Sequence, residues 1–246
     1  MRIRATASAT RPTGTGALLE LRGLSVSGHW TEWRAATSDS AVVQLPEYIR
    51  SVQARITFSA KDHAGKPAVV SLYVSPRGGP DPRPERQANP EPFSARVYAT
   101  RIGLVGEHTA NGHVIRRRDR FASLPSRRGL NSDDKTNDYV VEICYSRTNR
   151  CARAPVWDVG PWNIRDDYWN PPATREMWQD LPQGTPQAQA AYADGYNKGK
   201  DERSRKVLNP AGIDLADRVF LRDLGMTGND WVTVTYLWTA PATDDR

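Results

Sequence analysis

An aspartate in the second half of the chain stands where acid–base chemistry is feasible. Asp158 ends an extended, β-prone segment and is followed by Gly160 and Pro161. Alternation along a strand puts Val156 and Asp158 on one face and Trp157 on the other. Gly160 relaxes the backbone and Pro161 has no N–H to donate, so strand pairing must stop there. Asp158 is therefore a candidate general acid at the mouth of a sheet, and the alternative is that it caps the turn.

Other titratable residues are candidates to complete such a site. A glycosidase needs a second carboxylate, for which Asp166, Asp167 and Asp214 are available. Asp214 has an alternative structural role, in which it caps the following helix. A proton relay needs an imidazole, and His108 and His113 lie in a turn-like segment, although each has the alternative of being a surface turn residue.

The elements that must position these residues show a family resemblance. Five motifs occur in order and are followed by Leu224-Gly225: Ala95–Tyr98, Thr109–Gly112, Phe121–Pro125, Asp158–Pro161 and Ile213–Ala216. Together they resemble the double-psi β-barrel of rare lipoprotein A, expansins, barwin and the family 45 endoglucanases. The resemblance covers about residues 93–246 and implies a six-stranded double-psi β-barrel with a groove that binds polysaccharide.

The resemblance also implies roles for individual residues. In lytic transglycosylases of this fold, the aspartate at the position of Asp158 protonates a glycosidic oxygen. The family histidine is replaced by Ser123, which cannot relay a proton at neutral pH, so His108 and His113 are considered as substitutes. On the resemblance, the expected glycan-contacting positions are Tyr98, Thr109, Asn111, Gly112 and Asp214. At the insertion, which the resembled family lacks, Trp162, Tyr168 and Trp169 are further candidates to stack on sugar rings, and the alternative is that the aromatic residues form the insertion's own small core.

The composition indicates an all-β protein with two domains. Four β-prone runs before residue 76 predict a small N-terminal β-sandwich over residues 1–78. The Pro-rich residues 79–92 predict a linker, and the barrel follows over 93–246. An insertion at about 163–209 should contain a helix from Pro186 to about Lys200. We expect its packed face to consist of Ala188, Ala191 and Tyr192.

The two cysteines bear on the compartment. Cys144 and Cys151 flank a polar hexapeptide between two strand-like runs, so a hairpin can bring them together. A disulfide implies export, and the alternative is two buried free thiols. Met1 is not followed by an apolar leader, which leaves either a cytosolic protein or a mature secreted form. We expect no metal or cofactor, because no zinc-type spacing or EF-hand loop occurs.

The charge distribution predicts an anionic partner. The formal net charge is +6, and residues 95–155 contain twelve Arg or Lys against six Asp or Glu. Arg116–Arg118, Arg120 and Arg127-Arg128 supply most of this excess. An anionic cell-wall polymer fits it, and a solvated loop face is the alternative. We expect no nucleic-acid partner, since no binding motif accompanies the patch, and no membrane span.

Three function classes remain. The favoured one is a secreted, monomeric protein directed at peptidoglycan or another polysaccharide, with or without lytic-transglycosylase-like cleavage. The second is a carbohydrate-binding protein without chemistry. The third is an extracellular protease inhibitor built on a barwin-like barrel.

Overall fold

The fold is known from a computed structural model that describes residues 1–26, 28–38, 40–46, 48–61, 65–77 and 91–240. Within these ranges the chain forms two compact units, one before residue 78 and one after residue 90. Most of the predicted linker 79–92 lies outside the described residues, so the domain boundary stays a prediction. None of the helices in the described part of the chain is both long and apolar enough to cross a membrane.

The N-terminal unit is built from two three-stranded antiparallel sheets. One has the order β4-β1-β6 and the other β3-β2-β5. The strands are β1 Arg2–Thr10, β2 Thr15–Ser25, β3 Arg34–Ala36, β4 Ser40–Gln44, β5 Ile49–Ala60 and β6 Ala68–Arg77. Ile3 and Val43 of the first sheet share a buried core with Leu19 and Leu21 of the second. This common core makes the unit the predicted β-sandwich.

Strand β1 was not predicted. Its outward positions are charged or polar, and its inward positions are mostly alanine, as in Ala5 and Ala7. Small residues give a weak alternating hydrophobic signal, although Ile3 and Ala5 are fully buried.

The C-terminal unit contains a closed six-stranded barrel. Its strands are β7 Ser94–Ile102, β8 Ala122–Leu124, β9 Val140–Tyr145, β10 Arg150–Val159, β11 Ala211–Ala216 and β12 Asp230–Tyr236. The order around the barrel is β10-β8-β11-β7-β12-β9. The pairs β7–β11 and β8–β10 are parallel, and the other four are antiparallel. If β7, β8 and β9 are exchanged for β10, β11 and β12, the same pairs of strands are still neighbours around the barrel. The first three strands and the last three therefore have the same connectivity.

A register shift in β10 changes the side to which Asp158 points. Val156 pairs with Ala122 and Asp158 pairs with Ser123, so Trp157 is an extra residue in β10. Ala122 and Ser123 are consecutive in β8 and face opposite sides. The prediction that Val156 and Asp158 share a face is therefore wrong, because regular alternation does not continue through a bulge.

The insertion between β10 and β11 contains one α-helix, α1, at Gln187–Asp194. The predicted helix was longer. It stops early because Gly195 adopts a left-handed conformation with φ +68°, a common helix C-terminus. Ala188 and Ala191 are buried as predicted, but Tyr192 is 56% exposed and does not belong to the packed face.

The predicted disulfide is confirmed. Cys144 of β9 and Cys151 of β10 are directly opposite in an antiparallel pair and are bonded to each other. The bond joins two neighbouring barrel strands beside their connecting turn.

Candidate functional site

Four polar residues form a row across four neighbouring barrel strands. Thr100 of β7 is level with Asp214 of β11, Asp214 is level with Ser123 of β8, and Ser123 is level with Asp158 of β10. Residues paired in this way stand side by side on a sheet. The row, hereafter the carboxylate row, thus brings together three residues that the sequence singled out and adds Thr100.

Asp214 is held in the row by a hydroxyl group. The Thr100 hydroxyl donates a hydrogen bond to Oδ1 of Asp214. Burial raises the pKa of Asp214 to about 6, the negative charge of Asp158 adds to the rise, and the Thr100 hydrogen bond opposes it. The alternative role of Asp214 as a helix cap is wrong. The π-helix that follows, Arg218–Asp223, has Asp217 at its N-cap position, with no side-chain cap.

Asp158 holds a loop rather than the Gly-Pro turn. Its Oδ1 accepts a hydrogen bond of 2.8 Å from the backbone amide of Ala110. Burial raises the pKa of Asp158 above its usual value, although hydrogen bonds from the backbone amides of Ala110 and Val159 oppose the rise. Both carboxyl groups of the row therefore have a raised pKa, which is characteristic of functional sites.

Ser123 lies between the two carboxylates. It is fully buried, and its hydroxyl donates to the carbonyl oxygen of Gly160 at 3.2 Å. A Cβ atom added at Gly160 would be 3.4 Å from Oγ of Ser123 and 3.9 Å from Oδ2 of Asp214. The missing side chain at Gly160 therefore leaves open space next to the serine and Asp214.

The predicted Thr-Ala-Asn-Gly turn borders the row. The Thr109 hydroxyl donates to Oδ1 of Asn111 at 2.6 Å, and the backbone amide of Asn111 donates to the carbonyl oxygen of Trp157. Gly112 has φ +90°, a left-handed conformation that favours glycine. The side-chain nitrogen of Asn111 is buried with no hydrogen-bond partner in the described part of the chain. Asn111 thus has an unused side-chain donor, one residue after the Ala110 amide that binds Asp158.

His113 is fixed between two carboxylates. Its Nε2 is 2.6 Å from Oδ2 of Asp119, its Nδ1 is 2.8 Å from Oδ2 of Asp134, and its ring lies 4.7 Å from that of Trp157. Burial lowers the pKa of His113, but the hydrogen bonds and charges of Asp119 and Asp134 outweigh it and raise the pKa. Both ring nitrogens are occupied, so His113 positions the turn and is not placed to relay protons to Asp158.

His108 takes no part in the carboxylate row. Its backbone is paired with that of Val114, and its side chain is exposed. Neither His108 nor His113 is therefore placed to substitute for the histidine that the resemblance leads one to expect at the position of Ser123.

Two of the aromatic residues expected to contact a glycan are buried. Tyr168 is fully buried and donates to the carbonyl oxygen of Gly212 at 3.0 Å. Trp169 is 1% exposed and stacks on Tyr236 at 5.3 Å. These rings fasten the insertion to the barrel, which corrects the expectation that they face a sugar. The insertion needs a core of its own, and sequence alone does not separate that use from ligand stacking.

Trp162 and Tyr98 are partly open. Trp162 donates to Oδ1 of Asn209 at 3.1 Å and packs against a buried cluster of Ala188, Ala191 and Val207. Tyr98 lies two residues before Thr100 on the same side of β7 and contacts Trp231 edge to face at 5.6 Å. Tyr98 is thus an aromatic residue that the strand pattern places on the same side as the row, together with its partner Trp231.

Asp166 and Asp167 are not second carboxylates for catalysis. Both are fully buried. Asp166 accepts from the Arg175 guanidinium, and Asp167 accepts from Nη1 of Arg128 at 2.5 Å. The Asp166–Arg175 pair lies within the insertion, and the Asp167–Arg128 pair joins the insertion to the turn at Arg127–Gly129.

The basic patch is smaller than the sequence suggests. Arg120 is paired with Asp223, and Arg128 is paired with Asp167 and Glu176. Arg116–Arg118 are exposed, in a turn closed by a hydrogen bond from the Arg116 amide to Asp119. Only this triplet of the predicted arginines has side chains with no ion pair or hydrogen bond in the described structure.

Sequence reasoning missed the supporting partners in the site. Thr100 and the Ala110 amide act through cross-strand and loop contacts, for which the sequence has no local signal. Asp119 and Asp134 are identified as partners of His113 only by the folded geometry. Among the described residues, no group of three or more His, Cys, Asp or Glu side chains has the arrangement of a metal site.

Comparisons with known proteins agree with the extent of the barrel unit. No curated protein matches the chain. A family profile described as Domain of unknown function (DUF8814) matches residues 93–235, which is more than half of the chain and contains all six barrel strands up to Thr235. The chain therefore belongs to the DUF8814 family of domains of unknown function.

Proposed function

We propose that the barrel unit is a double-psi barrel that binds a polysaccharide in a groove over the carboxylate row and cleaves a glycosidic bond there. The strand order, with two parallel pairs and interchangeable halves, supports the double-psi assignment. The single observation that carries the function is the pairing of Asp158 and Asp214 across Ser123, with a raised pKa at both carboxyl groups.

The two carboxyl groups supply the combination that glycosidic cleavage requires. Burial raises the pKa of both carboxyl groups, that of Asp214 to about 6, and the charge of Asp158 adds to the rise at Asp214. A pair that shares one proton contains an acid and a carboxylate. The acid gives its proton to the leaving glycosidic oxygen as the bond to the anomeric carbon breaks. The carboxylate accepts the proton of the attacking hydroxyl, either from water or from the sugar itself, as the new bond to that carbon forms.

The spacing of the row leaves room for this chemistry. The two aspartates stand two strand positions apart, which separates their backbones by roughly 9 to 10 Å. Ser123 and the bare backbone of Gly160 lie between them. Carboxyl groups that act from opposite sides of a scissile bond need room between them, and this backbone spacing allows that room.

We also propose that the protein works outside the cell. The Cys144–Cys151 disulfide supports this, because structural disulfides persist mainly in oxidising compartments. Peptidoglycan and related wall polysaccharides are the corresponding substrate class.

The test is product release from peptidoglycan, cellulose and chitin by the full chain and its variants. We expect D158N and D214N each to lower the rate by about 10² to 10⁴-fold, because each removes one partner of the proton transfer. D194N is the matched control, since Asp194 is exposed at the end of α1. Absence of soluble products from all three substrates with the wild-type protein would exclude cleavage.

One observation favours a second candidate, a carbohydrate-binding protein without chemistry. Ser123 occupies the position of the family histidine, and His113 is already engaged by two aspartates. If this candidate is right, wild-type protein retains glycan in a pull-down without releasing products, and D158N retains it equally.

A further inference from the structure

The insertion has a basic surface that its composition conceals. Residues 163–209 contain seven acidic and seven basic residues. Three of the acids, Asp166, Asp167 and Asp201, are fully buried, and the side chain of Glu202 is only 3% exposed. Arg175 is the one buried basic residue of this insertion. Formal neutrality therefore becomes an excess of positive charge at the surface.

The exposed positive charge is concentrated in one hairpin, residues 198–206, here called the basic hairpin. The backbones of Lys200 and Lys206 are paired at its base. Buried Asp201 shapes its tip by accepting from the amides of Arg203 and Arg205. Its exposed basic residues are Lys198, Lys200, Arg203, Arg205 and Lys206.

Four of these side chains have no partner within the described structure. Arg205 binds Asp201, but Lys198, Lys200, Arg203 and Lys206 form no side-chain hydrogen bond or ion pair there. Lys200 and Lys206 are moreover directly opposite, an arrangement in which like charges repel. A bound anion would relieve this repulsion, which points to a ligand and not to fold stability as the use of the lysines.

The basic hairpin adjoins the strand end that carries Asp158. Nη2 of Arg205 donates to the carbonyl oxygen of Trp162 at 2.5 Å, and the guanidinium lies 6.0 Å from the Trp162 ring centroid. On the other side of Asp158 in the chain, Trp157 contacts His113. His113 in turn binds Asp119, which closes the arginine turn 116–118. Asp158 thus lies in the chain between Trp157 and Trp162. Trp162 contacts the basic hairpin, and Trp157 is linked through His113 and Asp119 to the arginine turn.

We infer that the basic hairpin binds carboxylate groups of an acidic polysaccharide whose chain continues from the groove at the carboxylate row. The inference rests on the proposed function, because the groove supplies the polysaccharide and the hairpin adds a requirement for negative charge. A polymer with acidic groups along its length can contact the hairpin and the arginine turn while a glycosidic bond lies over the row.

The test measures affinity of the full chain for polygalacturonate fragments and for neutral cello-oligosaccharides. The hairpin variant changes Lys198, Lys200, Arg203 and Lys206 to Gln. The matched control changes four exposed basic residues of the N-terminal unit, Arg50, Lys61, Lys66 and Arg77, to Gln and alters the net charge equally. We expect the hairpin variant to lose about tenfold or more in polygalacturonate affinity at low salt, and the control to change less than about twofold.

Salt gives a readout that needs no variant. Binding of the wild-type protein to polygalacturonate should weaken strongly between about 0.05 and 0.5 M salt, because the charges involved are exposed. Equal losses in both variants, an unchanged hairpin variant, or no binding of wild-type protein would each overturn the inference. So would tighter binding of polyphosphate or single-stranded DNA than of polygalacturonate. Neutral oligosaccharide binding reports on the groove separately, so failure of the proposed function is distinguishable from failure at the hairpin.

Discussion

The barrel unit contains two pairs of buried or half-buried aspartates. The negative charge is stabilised by arginines in one pair and by hydrogen bonds in the other. In the insertion, Asp166 and Asp167 are fully buried and each is paired with an arginine, Arg175 or Arg128. In the carboxylate row, Asp158 and Asp214 are partly accessible and receive hydroxyl and amide hydrogen bonds, and neither forms an ion pair with the described residues.

The comparison shows that a raised pKa does not by itself identify a functional carboxyl group. Burial raises the pKa of Asp166 even though Arg175 opposes the rise, and Asp214 is raised by burial as well. The two pairs differ in solvent access and in that no described Arg or Lys forms an ion pair with the aspartates of the row. A carboxyl group without a countercharge changes protonation readily, whereas one locked to a buried guanidinium has a structural role.

The largest effect on stability is expected at the insertion. R175M leaves Asp166 buried without its cation and should lower the free energy of unfolding by about 3 to 5 kcal/mol at neutral pH. Urea denaturation monitored by tryptophan fluorescence measures the change. R120M is the control, because Arg120 pairs with Asp223 at the surface and its loss should matter little. If R175M were as stable as the wild type, the structural role of this pair would be wrong.

Neutralising Asp214 in the carboxylate row should stabilise the protein, whereas breaking the buried ion pair of the insertion should destabilise it. The pKa of Asp214 is about 6 in the folded protein and near 3.8 ordinarily, so ionisation costs stability as pH rises from about 4 through 6. D214N removes this cost and should raise the free energy of unfolding by up to about 3 kcal/mol at pH 7.5, with no gain at pH 4.

Thermal unfolding at both pH values checks this sign. The matched change in the other pair, D166N, should destabilise the protein at pH 7.5, because it leaves Arg175 buried and uncompensated. Destabilisation of similar size by both substitutions would remove the distinction between the pairs.

The smallest effect is expected at His113, the residue that connects the row to its bordering loop. Its pKa is raised in the fold by Asp119 and Asp134, so its stabilising contribution is present below about pH 6.5 and is lost as pH rises through the folded pKa. H113Q should cost about 1 kcal/mol at pH 5.5 and less at pH 9. A pH-independent loss, measured by denaturant titration, would mean that His113 acts by packing on Trp157 alone.

Periodicity and turn residues predicted much of the fold. Val140–Tyr145 and Asp230–Tyr236 alternate between buried and partly exposed positions, and Gly160-Pro161 ends β10 as expected. The bulge at Trp157 was not predictable, because it depends on a local backbone conformation that tertiary packing selects. The end of α1 was predictable but missed, since glycine just after a helix, here Gly195, is a common stop signal.

The candidate site was predictable in its members but not in its arrangement. Asp158, Ser123 and Asp214 were named from motifs, yet their alignment depends on strand register, which no local pattern specifies. For Tyr168 and Trp169, the sequence did not predict the role. Large aromatic residues beside a groove have the same sequence appearance whether they contact a ligand or a neighbouring strand.

The order of strands around the barrel has a consequence for how the protein is made. The first barrel strand, β7, pairs only with the last two, as in Tyr98 with Ala211 and Val97 with Val232. At about 5 to 20 residues per second, β7 leaves the ribosome well before its partners exist. The β-sandwich has all of its described strands once β6 has emerged, so it can fold first. The barrel must wait with an unpaired strand edge exposed, which makes it the half of the molecule that depends on protection from aggregation during synthesis.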